Sequence, residues 1–246
     1  MIVGKKLVVI NFILISLALF CCANLVLSKS WGQSSPDILT TSASHQFNWD
    51  NILLGAIALN SKFSYSDQKL IKSYMQIYKP QQFDILDKNE FSHDRLLQEA
   101  SDEILTKVQP FKISKKFTLF AGFQLGSYNF QKKAFNFQPF KENSFLMVQS
   151  KYDNDLPKKF QISFMNFFKI NSLPMNQKNA SILVDNLIKQ DRNNRTIYGD
   201  LQFSLIMLKE NDFTYPMTEI IAEITDITLY SDGNKTDLIL SYNLQN

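Results

Sequence analysis

The spacing of apolar residues along this chain changes at Pro110, and that change constrains the fold more than any motif does. Before Pro110, Leu70, Ile71, Tyr74, Ile77 and Tyr78 recur at i, i+3, i+4 spacing, as do Leu96, Leu97, Ala100, Ile104 and Val108. That period gathers each set on one side of an α-helix. Ser66 is placed to cap the first helix and Pro80 to end it. Ser92 precedes the second, over His93–Lys107, and Pro110 closes the helical half. The apolar run Asn51–Asn60 ahead of both reads as a short buried helix or turn.

After Pro110 the period is two. Phe117–Phe137, interrupted around Gly126, predicts two strands with a turn, and Ser144–Ser150 a third short strand. Phe160, Ile162 and Phe164 alternate with Gln161 and Ser163, the pattern of a half-buried strand. Ile197, Leu201, Phe203, Leu205 and Met207 share one face of another. Ile220, Ala222 and Ile224 continue on the next, where the apolar phase then slips by one to Ile227 and Leu229. A slip of that kind is what a β-bulge produces. Asp232-Gly233 predicts a tight turn into Leu238, Leu240, Tyr242 and Leu244. One helix interrupts the strands at Asn179–Lys189, with Ile182, Leu183, Asn186 and Leu187 on its apolar side. The fold class is therefore α+β, with N-terminal helices packed on a mostly antiparallel sheet and one further helix inserted between strands.

The first 23 residues follow a different logic. Lys5 and Lys6 precede a run from Leu7 to Phe20 that is apolar except for Asn11 and Ser16. A cationic start followed by an apolar core is the layout of an export signal. Three readings of its exit stay open. Cleavage after Ala23 makes it a signal peptide. Leu25–Leu27 extend the run to bilayer length, which makes it an anchor. Cys21 or Cys22 could carry a lipid, although the bulky Phe20 stands where that chemistry wants a small residue. Residues 24–48, rich in Ser, Thr and Gln, read as a flexible tether, and 49–246 as one globular domain. The predicted location is periplasmic or secreted, with membrane contact only through the N-terminal segment.

Charge and cysteine usage follow from that division. The chain has 26 basic and 23 acidic residues, but Lys5, Lys6 and Lys29 fall in the first 30, which hold no acid, leaving 23 against 23. A near-neutral domain disfavours nucleic acid as a partner, because phosphate neutralisation needs a basic surplus. Both cysteines lie in the N-terminal segment, so the domain has no disulfide framework and no cysteine nucleophile. Its stability has to come from apolar burial, and 21 phenylalanines are available for that.

The sequence assigns no catalytic, cofactor-binding or metal-ligating residue. His45 falls in the tether, and His93 lies beside Asp94 in a helical first turn. No HExxH pair, Gly-x-Ser-x-Gly elbow or phosphate-binding glycine loop is present. Asp153-Asn154-Asp155 is the densest set of oxygen donors, but it lacks the glycine and distal Glu of a calcium loop and reads as a solvated turn. Tyr128-Asn129-Phe130, with Phe135, Phe137 and Phe140, is an aromatic concentration whose main reading is core and whose second reading is an exposed groove for a peptide or glycan.

Three stretches carry a resemblance: Asn89-Glu90-Phe91 leading into Leu96-Leu97; Leu125-Gly126-Ser127-Tyr128-Asn129-Phe130 with Lys133 and Phe135; and Arg195-Thr196-Ile197-Tyr198 running into Leu201-Gln202-Phe203. In that order, behind an export signal, they resemble an uncharacterised family of exported bacterial proteins, a domain of unknown function. Tyr128-Asn129-Phe130 stands where that pattern has Tyr-Asp-Phe. The resemblance implies an envelope or secreted setting and carries no activity with it. The expected function is a non-enzymatic exported module that binds a protein partner or contributes to the envelope. The alternatives are an exported hydrolase with a site assembled from distant residues around His93 and Asp94, or a secreted effector.

Overall fold

A computed structural model describes residues 44–60, 64, 67–88, 90–190, 195–210, 213 and 216–245. The apolar run Leu7–Leu27, both cysteines, Ser66 and Asn89 lie outside the described residues. Among the described residues no helix is long and apolar enough to cross a membrane.

The helical half comprises α1 (Trp49–Leu59), α2 (Gln68–Tyr78), α3 (Pro80–Leu86) and α4 (Glu90–Ile113). A short strand β1 (His45–Gln46) precedes them. The strand-rich half runs β2 (Lys116–Gln124), β3 (Tyr128–Asn129), β4 (Ala134–Asn136), β5 (Phe145–Gln149), β6 (Lys159–Phe164), β7 (Ser172–Pro174), α5 (Gln177–Lys189), β8 (Thr196–Leu208), β9 (Met217–Tyr230) and β10 (Leu238–Asn243). The large sheet has the order β1-β2-β8-β9-β6-β5, with β10 also on β9; β3, β4 and β7 form a second, smaller sheet. The large sheet is mostly antiparallel, the β1–β2 and β6–β9 pairings being the parallel ones among the described residues. The α+β class holds, and β8, β9 and β10 form the antiparallel C-terminal run that the alternation predicts.

Several boundaries differ from expectation, each for a local reason. The described fold reaches back into the stretch expected to be tether. His45 and Gln46 pair with Phe117 and Thr118, and Asn48 caps α1 by accepting from Asn51 N at 2.9 Å. Asp67 caps α2, accepting from Lys69 N and Leu70 N. Pro80 ends α2 and also starts α3, where its missing N–H costs nothing at the first helical position. Pro110 does not close α4, which runs one turn further to Ile113. The hydrogen bond lost there is offset by burial of Phe111, 4% exposed and stacked on His45 at 3.9 Å. The strands expected in Phe117–Phe137 number three, because β3 and β4 turn away from β2 into the small sheet. Ile182 on α5 is exposed, the buried face being Ala180, Leu183 and Leu187. Asp232-Gly233 is no two-residue turn: the Asp232 carboxylate organises a longer loop, accepting from Asn234 N, Thr236 N, Thr236 Oγ1 and Asp237 N.

The phase slip in β9 is a bulge, as the alternation implies. Gln202 pairs with Asp226 and Phe203 with Ile224, so Thr225 has no opposite residue. There β9 changes neighbours, from β6 along Met217–Ala222 to β10 along Asp226–Tyr230. The buried Asn166 side chain bridges the gap: Ile224 N donates to its Oδ1 at 2.9 Å and its Nδ2 donates to Ile224 O at 2.8 Å. A second irregularity, between Leu205 and Met207, turns Met207 to solvent (48% exposed) and brings Leu208 into the core.

The phenylalanines form a continuous row through this core. Phe140 meets Phe164 at 4.6 Å, Phe164 meets Phe203 at 5.5 Å, Phe203 meets Phe117 at 5.7 Å and Phe117 meets Phe111 at 6.1 Å. Such contacts add to the area that each ring buries. α1 lies close on the sheet at Gly55, where a Cβ would come within 2.9 Å of Leu205 and Phe117.

Candidate functional site

An aromatic-lined cleft lies where the small sheet faces α5. Its volume is about 460 Å³, and Tyr128, Phe130, Phe135, Ala180, Val184 and Arg195 contribute to its walls, with Gln177, Ser181 and Asp185 along one side. The helix supplies two rows by its own period. Gln177, Ser181 and Asp185 recur at i, i+4, i+8 as a polar row, beside the apolar pair Ala180 and Val184 at i, i+4. Asn176 fixes the start of α5 by accepting from Asn179 N at 2.9 Å.

The opposite wall is the β3–β4 hairpin. Asn129 Oδ1 accepts from Gln131 N at 3.0 Å and from Lys132 N at 2.9 Å, and Lys133 closes the turn in the left-handed region, φ 49. A carboxylate accepts in the same way, so the Asn in Tyr-Asn-Phe preserves what an Asp would do there. The turn holds Phe130 out at 68% exposure, edge-on to Tyr128 at 5.1 Å, while Tyr128 meets the buried Phe135 at 5.1 Å and anchors its hydroxyl on Met175 O at 2.9 Å. Arg195 closes one end with φ 49 and donates from Nη1 to Gly126 O at 3.4 Å. Gly126 has to be glycine, because a Cβ there would sit 2.5 Å from Asn136 O. The aromatic concentration thus divides. Phe137 and Phe140 are core, Tyr128 and Phe130 line the cleft, and the buried Phe135 belongs to both.

A cleft with rigid aromatic walls, one guanidinium and one carboxylate can hold an apolar side chain and orient the polar groups beside it. Sequence reasoning missed the contribution of α5. Its signal was the polar row Gln177, Ser181, Asp185 next to Ala180, which a reading fixed on the apolar positions passes over.

A second polar cluster joins α1, α2 and α4. Glu103 accepts from Tyr74 Oη at 2.6 Å and pairs with Lys79 at 2.6 Å and Lys107 at 2.8 Å. Lys107 also donates to Tyr74 Oη at 2.7 Å and lies over the Tyr74 and Tyr78 rings at 5.4 and 5.2 Å. Tyr78 Oη donates to Asp50. Burial pushes the Tyr74 hydroxyl up to about 12, helped by its bond to Glu103, and raises Tyr78 as well. For Glu103 burial acts upward, but the hydrogen bonds from Lys107, Lys79 and Tyr74 outweigh it and bring the carboxyl to about 2. Each charge faces an opposite one or a hydroxyl, which is the arrangement of a helix clamp.

The other residues singled out by sequence fall elsewhere. His93 has Asp94 Oδ1 at 3.1 Å from Nδ1 and Asp87 Oδ1 at 3.9 Å from Nε2; both carboxylates are exposed, at 99% and 80%. The pair forms a surface contact outside the cleft. His45 lies against the sheet edge with Nε2 3.0 Å from Ser114 O. Asp153 pairs with Lys158, and Asn154 Oδ1 accepts from Leu156 N, so that turn binds itself. Among the described residues no group of three or more His, Cys, Asp or Glu is gathered to hold a metal ion.

Residues 66–186 match the model of a domain of unknown function (DUF4852). The span takes in α2, the β3–β4 hairpin and most of α5, so the resemblance to an uncharacterised family holds there. No curated protein matches the chain, and no solved structure does.

Proposed function

We propose that this protein is a non-enzymatic, exported binding module whose cleft between the β3–β4 hairpin and α5 receives a peptide segment of a protein partner. The observation that carries the reading is Phe130, a large aromatic held 68% exposed by a hydrogen-bonded turn at the mouth of the cleft. An exposed aromatic on a fixed backbone loses little entropy on binding and buries a large area, which is why such residues anchor interfaces. Arg195 and Asp185, both lining the cleft, match the carbonyl and amide groups of a peptide or its charged side chains. The N-terminal signal motivates the exported setting, periplasmic or beyond.

The test is site-specific photocrosslinking in the producing cell. A benzophenone side chain in place of Phe130 is expected to capture a discrete partner, and Val184→Glu or Arg195→Gln to reduce the adduct several-fold. The same probe at Phe91, 92% exposed on α4, serves as control. An adduct at Phe91 equal to that at position 130, or one indifferent to both substitutions, rules the cleft out.

A further inference from the structure

The C-terminal end of α4 and its link to β2 read Lys112-Ile113-Ser114-Lys115-Lys116. Ile113 is 86% exposed, and Ile206, across on β8, is 40% exposed beside it. The two isoleucines and the three lysines line one shallow hollow whose other walls are Ser114, Ser204 and Leu205. The surrounding sequence is uniformly basic: residues 104–141 hold seven lysines and no Asp or Glu. Three of those lysines, Lys112, Lys115 and Lys116, line the hollow itself.

The chain's entry into the domain falls at the same corner. His45 Nε2 is 3.0 Å from Ser114 O, its ring stacks on Phe111 at 3.9 Å, and β1 pairs with Phe117 and Thr118. The described fold thus begins beside Ser114, and residues 28–43 separate it from the apolar run that ends at Leu27. A segment of that length reaches at most about 55 Å. If Leu7–Leu27 is retained in a bilayer, the chain that leaves it enters the domain at this lysine corner.

We infer that the Lys112–Lys116 corner docks on an anionic bilayer surface, with Lys115 and Lys116 against lipid phosphates and Ile113 and Ile206 at headgroup depth. Lysines flanking a protruding apolar side chain are the chemistry of interfacial binding, in which charge and buried apolar area act together. The inference goes beyond the cleft and rests on the retained-anchor form of the N-terminal segment.

The test uses the full chain with Cys21→Ser, Cys22→Ser and Ile113→Cys, labelled at position 113 with an environment-sensitive fluorophore. It is reconstituted into vesicles of phosphatidylcholine alone or with a quarter phosphatidylglycerol and recovered by flotation. The label is expected to be shielded from the neutral quencher acrylamide on the anionic vesicles and not on the zwitterionic ones. Each lysine is expected to contribute about fivefold to that docking, so Lys115→Glu with Lys116→Glu should return quenching to the phosphatidylcholine value. A label at Ile182, half exposed on α5, should report no change. Equal quenching on both vesicles, or shielding that survives the charge reversal, overturns the corner while leaving the anchor intact. Shielding by double-stranded DNA as strong as by anionic lipid assigns the surface to nucleic acid and overturns it too. A chain that floats with neither vesicle refutes the anchored setting and the docking with it.

Discussion

The Tyr74–Glu103–Lys107 cluster and the Phe130 cleft are both built from aromatic and charged side chains, yet they spend them in opposite ways. In the cluster Glu103 meets Lys79, Lys107 and Tyr74 within 2.8 Å, and Tyr78 reaches Asp50. Its interactions close on themselves between helices. In the cleft Phe130 stands 68% exposed, and the Arg195 guanidinium reaches Gly126 O only at 3.4 Å. The backbone around it is tightly held, by the Asn129 turn and by Gly126 against Asn136, while the side chains remain available. A site that binds needs that combination of fixed scaffold and unspent contact surface. The difference makes the cluster a clamp and the cleft the candidate for recognition.

The largest effect should come from breaking the scaffold under the cleft. Gly126→Ala would bring a methyl group to 2.5 Å from a backbone oxygen, where no rotamer change gives relief. Overpacking of this kind costs about 3 kcal/mol. A denaturant midpoint shifted accordingly, with crosslinking at position 130 abolished, is the expected pair of results. Unchanged stability would mean that the hairpin shifts freely, and the contrast between fixed backbone and open side chains would fail.

Next in size is the clamp. Glu103→Ala leaves Lys79, Lys107 and Tyr74 without their shared acceptor, a loss of about 2 kcal/mol after allowance for partial exposure. The sign with pH follows from the lowered carboxyl. Its folded value, about 2, lies below the unfolded one, so the contribution is whole above the ordinary glutamate range and is lost as pH falls toward 2. Acid titration of the midpoint should show this loss in the parent chain and not in Glu103→Ala. Crosslinking at position 130 should survive the substitution at neutral pH; if it vanishes instead, the clamp takes part in recognition.

The tyrosines act at the other end of the scale. Tyr74 and Tyr242 are both raised to about 12 by burial, so stability is whole below pH 10 and declines as pH rises through 10 toward 12. Tyr74→Phe, which removes the bond to Glu103, should cost about 1 kcal/mol at neutral pH and flatten that alkaline decline. Tyrosinate absorbance during the same titration checks the assignment.

How much of this could be read from the sequence differs between the two regions as well. The helices of the clamp were legible because Leu70, Ile71 and Tyr74, like Leu97, Ala100 and Ile104, repeat with a helical period that local geometry alone enforces. The bulge at Thr225 was legible for a similar reason, as a slip in a period of two. What closes the bulge was not, since Asn166 lies 58 residues away and nothing in its neighbours announces the contact. The cleft suffered most from that limit. Tyr128 and Phe130 were noticed as aromatics, but their division from Phe135 depends on β4 pairing with β7, and Arg195 and Asp185 arrive from separate elements. Proline showed the limit from the other side: Pro110 obeys its local preference poorly because Phe111 has a place in the core.

The smallest expected effect on stability is also the sharpest test of the comparison. Phe130 packs edge-on against Tyr128, and most of its surface already faces solvent. Phe130→Ser therefore removes little buried area, and a change within about 0.5 kcal/mol is expected, as for surface substitutions generally. The same substitution, followed by a crosslinker at the neighbouring cleft residue Ser181, should lower partner capture several-fold, because the anchor is gone while the walls stand. A large loss of stability would show that Phe130 supports the hairpin rather than serving as an exposed anchor. Unchanged capture at position 181 would place recognition elsewhere on the domain. A near-neutral effect on folding combined with a strong one on capture is the outcome that only a binding aromatic produces, and the clamp residues, substituted one at a time, should give the reverse.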